Sequence, residues 1–187
     1  MRIDGVVKLG GSLLAHRAHL RTALDAIARC AAKERIVVVP GGGPFADAVR
    51  GIDATLGLSA DAAHWMAILA MDQYAHVIAD KLDSAALVED AASIDAALNR
   101  RAIPVLAPYR WLRQADPLPH AWEVTSDSIA AWVAAQAGAS TLTLVKPPGA
   151  IGGLTDAHFE RAVPPRVRCE VIPADDLPRL VTVLRST

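Results

Sequence analysis

Apolar residues along the chain alternate between short continuous runs and longer stretches with helical spacing. The continuous runs predict strands buried on both faces, at 6–9, 36–39, 103–106 and 141–146. The helical spacing predicts helices at 17–31, 44–50, 61–82, 128–137 and 175–184. This alternation predicts one α/β domain over residues 1–187, with a mostly parallel sheet covered by helices. The ligand site of such a sheet lies beyond the carboxyl ends of its strands.

Two further segments have a different pattern. Apolar and polar residues alternate at 167–171, which predicts an edge strand with one solvated face. The stretch 108–125 is rich in Pro, Trp and Arg and is expected to be irregular. Its Trp111 and Trp122 either line a pocket for a ligand or pack as a satellite of the core.

The predicted helix at 61–82 is apolar around most of its circumference, so it must be buried against more than one neighbour. We therefore expect part of it to pack in the interface of a homo-oligomer. A polar stripe on the same helix consists of His64, Asp72, His76 and Asp80. A solvated or hydrogen-bonded rim explains this stripe better than a metal site, although His76 with either aspartate has metal-ligand spacing.

Composition narrows the class of protein. Nineteen basic and twenty acidic residues give a formal net charge of −1, which argues against a nucleic-acid partner. Cys30 and Cys169 are too few and too far apart for a disulfide framework or a zinc cluster. The uncharged stretch 128–145 contains too many polar residues for a membrane span, and Met1 to Lys8 does not have the pattern of a secretory signal. We expect a cytoplasmic protein.

Glycine clusters follow the first two predicted strands, at Gly10-Gly11 and at 41–43. Glycines at a strand-to-helix turn let backbone N–H groups approach an anion closely, and the following helix adds its positive end. Each cluster alone is explained by a tight turn, whereas both at one sheet edge predict a double phosphate cradle. The Gly-Lys dipeptide of the Walker loop and the G-x-G-x-x-G fingerprint are both absent.

Only four of the nineteen basic residues are lysines. Lys8 and Lys146 lie at or near the carboxyl ends of predicted strands, where an ammonium group suits phosphoryl oxygens. Lys8 stands inside an apolar strand just ahead of a glycine turn, which favours a functional role. Lys33 and Lys81 have the pattern of surface lysines.

The stretch 125–128 precedes the helix that contains Ile129 and Trp132. Ser and Asp are favoured capping residues, so helix capping explains this stretch. Asp127 is equally well explained as an anchor for the two lysines, or for a magnesium ion beside bound phosphates.

Three motifs, in the order 7–12, 39–43 and 126–131, resemble the amino-acid kinase superfamily, which includes acetylglutamate, aspartate, uridylate and isopentenyl phosphate kinases. The resemblance covers residues 6–146. It implies a three-layer α/β/α sandwich and transfer of the γ-phosphoryl group of ATP to a small carboxylate or phosphate acceptor, with Mg²⁺.

The same resemblance implies site roles. Lys8 would neutralise the transferring phosphoryl group, and Asp127 would orient this lysine. Other residues are expected on the phosphate and ATP side, namely Gly10, Gly11, Ser12, Lys146 and Gly149. The acceptor is expected to contact Gly41, Gly42, Gly43 and Ser126. The chain length and the segment 70–74 are most similar to the small kinases of methanofuran biosynthesis, which phosphorylate an aminomethylfuran-methyl phosphate.

The C-terminal third departs from the family pattern. Many relatives have an Asp-Gly turn where this chain has Lys146-Pro147-Pro148-Gly149, and several then have a second catalytic lysine. Gly152-Gly153-Leu154 matches their Gly-Gly-Met segment in part, but no lysine follows Lys146. Either Lys146 takes the second cationic role, or the adenine site of this shortened part is reduced or lost. The second case would make the chain a non-catalytic regulatory or storage relative that binds a nucleotide or an oxyanion.

Overall fold

The structure, a computed structural model, describes residues 3–149 and 155–185. Its strands are β1 (Gly5–Leu9), β2 (Ile36–Pro40), β3 (Ala85–Val88), β4 (Ile103–Leu106), β5 (Thr141–Lys146) and β6 (Arg168–Pro173). Its helices are α1 (Arg17–Ala31), α2 (Gly43–Leu56), α3 (Ala60–Lys81), α4 (Ala91–Asn99), α5 (Tyr109–Ala115), α6 (Ser126–Ala137), α7 (Phe159–Ala162) and α8 (Pro178–Arg185). A short 3-10 helix spans Gly11–Ala15. The Gly152-Gly153-Leu154 match lies outside the described residues.

The strands form one sheet in the order β3-β4-β2-β1-β5-β6, and every neighbouring pair in the described part of the chain is parallel. The predicted parallel sheet is therefore confirmed. The alternating stretch at 167–171 contributes to β6, which is an edge strand as predicted. The central strand β1 lies between β2 and β5. Consequently, the loops that follow these three strands meet at one edge of the sheet.

The core has two layers, one on each face of the sheet. Val6, Val37 and Leu142 pack with α6 on one face, whereas Val7, Val38 and Val145 pack with α1 and α8 on the other. This division follows from the two-residue period of a strand, which directs successive side chains to opposite faces. Continuous apolar strands covered on both faces give the α/β/α sandwich that the resemblance implies.

Several elements differ from the sequence predictions. The prediction places neither β3 nor α4, and the stretch 108–125 contains α5 although it is expected to be irregular. The residues of β3 include two alanines, and only Val88 among its four residues is buried, so its strand signal is weak. A local signal for α4 does exist, because Asp90 and Ser93 form a reciprocal capping box. The helix predicted at 44–50 continues to Leu56, and the final helix begins at Pro178.

None of the helices in the described ranges has the length and apolar character of a membrane-crossing segment. The long helix α3 is buried through Tyr74 and Ile78 on one side and through Ile68 on another. Its Leu69 remains 41% exposed. Cys30 is buried and Cys169 is partly buried, and the two are not joined by a disulfide.

Candidate functional site

The two glycine loops pack directly against each other. A Cβ atom added to Gly11 would lie 2.1 Å from the backbone nitrogen of Gly43, and one added to Gly41 would lie 2.5 Å from that of Gly11. Gly43 also has a φ of +54°, which residues with a side chain rarely adopt. The glycines are therefore needed for the close approach of the loops after β1 and β2, and this approach brings both loops to one site.

Backbone donors at this site come from the start of the 3-10 helix. The N–H group of Gly10 donates to the carbonyl of Val145 at 2.9 Å. The prediction that this N–H group contacts a phosphate is therefore wrong, because its hydrogen bond is already made within the protein. The first bond of the 3-10 helix runs from Leu13 N–H to Gly10 O at 3.1 Å. Gly11 and Ser12 precede this bond, so their N–H groups are the two at this helix end without an acceptor inside the helix.

Lys8 and Lys146 converge on one carboxylate. The Nζ of Lys8 lies 2.9 Å from Oδ1 of Asp127, and the Nζ of Lys146 lies 2.5 Å from its Oδ2. Lys8 pairs with Leu144 in the register of β1 and β5, and Lys146 lies two residues beyond Leu144, so both lysines point to the same face. The helix α6, which packs on β1, supplies Asp127 from its first turn.

Burial and ion pairing oppose each other in this cluster. Lys8 and Asp127 are only 5% and 3% exposed. Burial lowers the pKa of Lys8 below its usual value, Asp127 opposes this shift, and Lys146 adds to it. Burial alone would raise the pKa of Asp127, but the two lysines bring it below its usual value. With both amines protonated, these three groups together carry a net charge of +1, which favours an anionic ligand, and the nearby carboxylate of Asp156 also acts to raise the pKa of Lys8.

Each oxygen of Asp127 lies beside a lysine ammonium group, as expected for an anchor of the two lysines, and its role beside a magnesium ion stays a prediction. No group of three His, Cys, Asp or Glu side chains within residues 3–149 and 155–185 is placed to hold a metal ion. The buried ammonium groups fit the phosphate groups of a nucleotide. Gly149, also predicted on this side, has a φ of +73° and donates its N–H to Asp175 at 3.3 Å.

Asp156 fixes the start of α6, a role that the sequence does not predict. Its Oδ2 accepts the N–H and the hydroxyl of Thr125, at 3.0 and 2.7 Å, and the N–H of Ser128 at 3.0 Å. Its Oδ1 accepts the Ser128 hydroxyl at 2.5 Å. Thr125 itself caps α6, as the stretch 125–128 predicts, while Asp127 is free to pair with the lysines. Asp156 is distant in sequence from Thr125 and Ser128, and no local pattern links them.

A cavity of about 490 Å³ opens beside the glycine loops. Its lining includes several predicted residues, namely Gly11, Ser12, Gly42, Gly43 and Ser126. Gly41 does not line it, because this residue packs against Gly11 and donates its N–H to Leu9 O at 2.8 Å. Lys8, Asp127 and Lys146 are not among its lining residues, although Ser126 precedes Asp127 directly in α6. The volume is in the range of small-molecule sites.

The far wall of the cavity contains Trp122. Its indole N–H donates to Oδ2 of Asp53 at 2.7 Å, and the guanidinium carbon of Arg50 lies 4.9 Å from the centre of its ring. Trp111 instead packs against the core and against Trp132, at 4.9 Å between ring centres. Trp122 therefore lines a pocket, whereas Trp111 packs as a satellite of the core, so each of the two interpretations holds for one tryptophan.

The polar stripe of α3 divides into different environments. His64 lines the cavity and stacks on His120 at 4.1 Å, whereas Asp72 accepts the N–H of Tyr109 at 3.0 Å. Burial raises the pKa of Asp72 to about 6. His76 and Asp80 are exposed, and Asp80 pairs with Lys81. The stripe is therefore not one metal site.

The glycine loops, the lysine pair and Asp127 all lie within residues 5–151, which match the model of the amino acid kinase family. The chain belongs to this family. A curated relative, [5-(aminomethyl)furan-3-yl]methyl phosphate kinase of Methanocaldococcus jannaschii, is 33% identical over 128 residues. That alignment spans 68% of this chain and 58% of the relative, less than two thirds of its length.

Solved structures share the fold. Uridylate kinase from Archaeoglobus fulgidus superposes with a TM-score of 0.71 at 17% identity, over 98% of this chain and 96% of that one. UMP kinase from Bacillus anthracis superposes with a TM-score of 0.65 at 13% identity, over 100% and 94% of the two chains. At these identities the likeness concerns the fold alone.

Proposed function

We propose that this protein is an ATP-dependent kinase that transfers the γ-phosphoryl group to a small acceptor with a carboxylate or phosphate group. The observation that carries the proposal is the convergence of Lys8 and Lys146 on the buried carboxylate of Asp127, beside two packed glycine loops. Phosphoryl transfer requires alignment and charge stabilisation more than covalent participation by the protein. A buried pair of ammonium groups suits that requirement.

In the proposed reaction, an oxygen of the acceptor forms a bond to the γ-phosphorus while the bond to the leaving ADP oxygen breaks. Lys8 and Lys146 stabilise the negative charge on the oxygens of the transferring group, and the N–H groups of Gly11 and Ser12 donate to it. Asp127 contacts neither substrate. Instead, it holds the two ammonium groups in one place, so that they need not reorganise during transfer.

Lys146 is proposed as the second cation of the reaction. It reaches Asp127 from the end of β5, next to the strand of Lys8, and no lysine occurs later in the sequence. A second catalytic cation is therefore available without a C-terminal lysine. This geometry favours a catalytic protein that uses Lys146 over a non-catalytic relative whose adenine site is reduced or lost.

The cavity beside Gly42, Gly43 and Ser126 is the proposed acceptor site. The name of the curated relative supports an acceptor with a furan ring, an aminomethyl group and a phosphate ester. Phosphorylation of that ester would produce a diphosphate. We propose [5-(aminomethyl)furan-3-yl]methyl phosphate as the acceptor, with ATP as the phosphoryl donor.

The test is a screen of small phosphates and carboxylates with Mg·ATP, read by ADP release and by ³¹P NMR of the product. We expect ADP release that depends on the acceptor, with the aminomethylfuran phosphate as the best acceptor and a diphosphate signal in the product. Calorimetry with Mg·ATP alone is the companion measurement. Nucleotide binding without ADP release from any acceptor would overturn the kinase proposal in favour of a non-catalytic relative.

A further inference from the structure

We infer that Trp122, fixed by Asp53 and Arg50, is a specificity surface that selects acceptors with a flat ring. The inference rests on the proposed function only in taking the occupant of the cavity to be the acceptor. Trp122 and Arg50 both line the cavity that contains Gly11 and Ser126, so a ligand whose phosphate lies at the loops can reach this wall. We call Asp47, Arg50, Asp53 and Trp122 the indole wall.

Trp122 is fixed at its edge and on one face. Its N–H donates to Asp53 Oδ2 at 2.7 Å, and Asp53 Oδ1 accepts the N–H of Leu58 at 2.9 Å. Asp53 thereby ties the stretch that contains Trp122 to the end of α2. The guanidinium group of Arg50 covers a ring face and pairs with Asp47 at 2.9 Å, one turn earlier in the same helix.

A rigid indole beside a guanidinium group presents planar surfaces to a ligand. Stacking on such surfaces favours a flat ring over a flexible chain of similar size, because both partners lose little conformational freedom. Ala60, Ala63 and Ala67 also line the cavity and add small apolar side chains that leave room for a ring. The wall therefore acts on the ring of the acceptor, while the loops act on its phosphate.

A second arginine–tryptophan pair in this chain provides the matched control. Arg113 lies over Trp65 at 4.6 Å, close to the 4.9 Å of Arg50 over Trp122, but neither Arg113 nor Trp65 lines the cavity. A general contribution of such pairs to stability would apply to both. An effect on ligand choice is expected only from the pair in the indole wall.

The experiment measures binding by calorimetry, without nucleotide, for two probes. One is [5-(aminomethyl)furan-3-yl]methyl phosphate, and the other is aminohexyl phosphate, which retains the amine and the phosphate but has no ring. We expect Trp122→Leu to weaken binding of the ring probe about tenfold and to leave the ring-free probe within about twofold. Trp122→Phe should retain most of the preference, and Trp111→Leu is the control.

Asp53 is a positioning residue in this scheme, since it acts through Trp122. Asp53→Ala should weaken ring binding as Trp122→Leu does, and the double variant should show no further loss. Additive losses would overturn the role of Asp53. Arg50→Ala should reduce the preference for the ring, whereas Arg113→Ala should not, and circular dichroism of each variant reports whether it is folded.

The inference is overturned if Trp122→Leu binds both probes as the wild type does, if Trp111→Leu shows the same selective loss, or if the wild type binds neither probe. Ring-selective binding without ADP release would have a different meaning. It would overturn the proposed kinase activity and leave the indole wall as a binding surface.

Discussion

The Nζ of Lys146 lies 2.5 Å from Oδ2 of Asp127, although the two residues come from different elements, the end of β5 and the first turn of α6. Because β5 is the direct neighbour of β1, Lys146 reaches this carboxylate from beside Lys8, which lies 2.9 Å from the other oxygen. The adjacent strands and the helix that packs on them thus bring two cations and one anion together beneath the protein surface.

The role of Lys8 is tested by removing its charge. We expect Lys8→Met to lower kcat by about 10²–10³, since Met retains the length and apolar stem of the side chain but has no ammonium group. Asp127 keeps Lys146 as a partner, so no buried charge is left alone. Steady-state kinetics with Mg·ATP and the acceptor measures the effect, and a thermal melt reports the fold.

Lys81→Met is the matched control, because Lys81 is exposed and pairs with Asp80 next to it, away from Asp127. It should leave kcat unchanged. Turnover of Lys8→Met near that of the wild type would show that Lys8 does not stabilise the transferring group.

Lys146 is expected to be a second catalytic cation. Lys146→Ala should lower kcat by at least about tenfold, because one of the two positive charges that stabilise the oxygens of the transferring group is lost. Lys33→Ala, at an exposed lysine, is the control. Unchanged kcat in Lys146→Ala together with a raised KM for ATP would restrict Lys146 to nucleotide binding.

Asp156 is expected to act on both stability and catalysis. Asp156→Ala removes the acceptor of hydrogen bonds from Thr125 and Ser128, so the free energy of unfolding should fall by about 1–3 kcal/mol. The start of α6 would then hold Asp127 less firmly, and kcat should fall more than KM rises. Urea unfolding and steady-state kinetics measure the two effects.

Asp175→Ala is the control for this variant. Asp175 also accepts a backbone N–H from a loop, that of Gly149 at 3.3 Å, but this loop follows β5 and is not the start of α6. A loss of stability in Asp156→Ala with kcat intact would mean that Asp156 only caps the helix.

The sequence predicts those parts of the fold and site that depend on local patterns. Apolar runs followed by glycines identify β1 and β2 with their loops, and the position of Lys8 inside such a run indicates a functional lysine. The strand β3 is not predicted, because its short run of residues contains alanines and has little β propensity. The roles of Asp156 and Asp53 are not predicted for a different reason. Their partners Ser128 and Trp122 are distant in sequence, and only the folded chain brings them together.

The last prediction concerns His64 and His120, which stack at 4.1 Å beside the cavity and have opposite pKa shifts. Hydrogen bonds with Asp61 and Asp116 raise the pKa of His120 above its usual 6.5. Burial, with His120 as a further cause, lowers the pKa of His64 to about 4. His120 therefore contributes stability that is fully present below pH 6.5 and lost as the pH rises through its raised folded value. His64 behaves oppositely, because its proton favours the unfolded chain, and stability is lost as the pH falls from 6.5 towards 4.

Urea unfolding of the wild type, His64→Gln and His120→Gln across this pH range measures the two effects. The difference between the wild type and each variant cancels the contribution of Asp72, whose pKa is also shifted. We expect the His120→Gln difference to shrink above pH 6.5 and the His64→Gln difference to change only below it. Equal pH dependence in all three proteins would show that neither imidazole changes its proton affinity on folding, and that the stacked pair contributes to stability by packing alone.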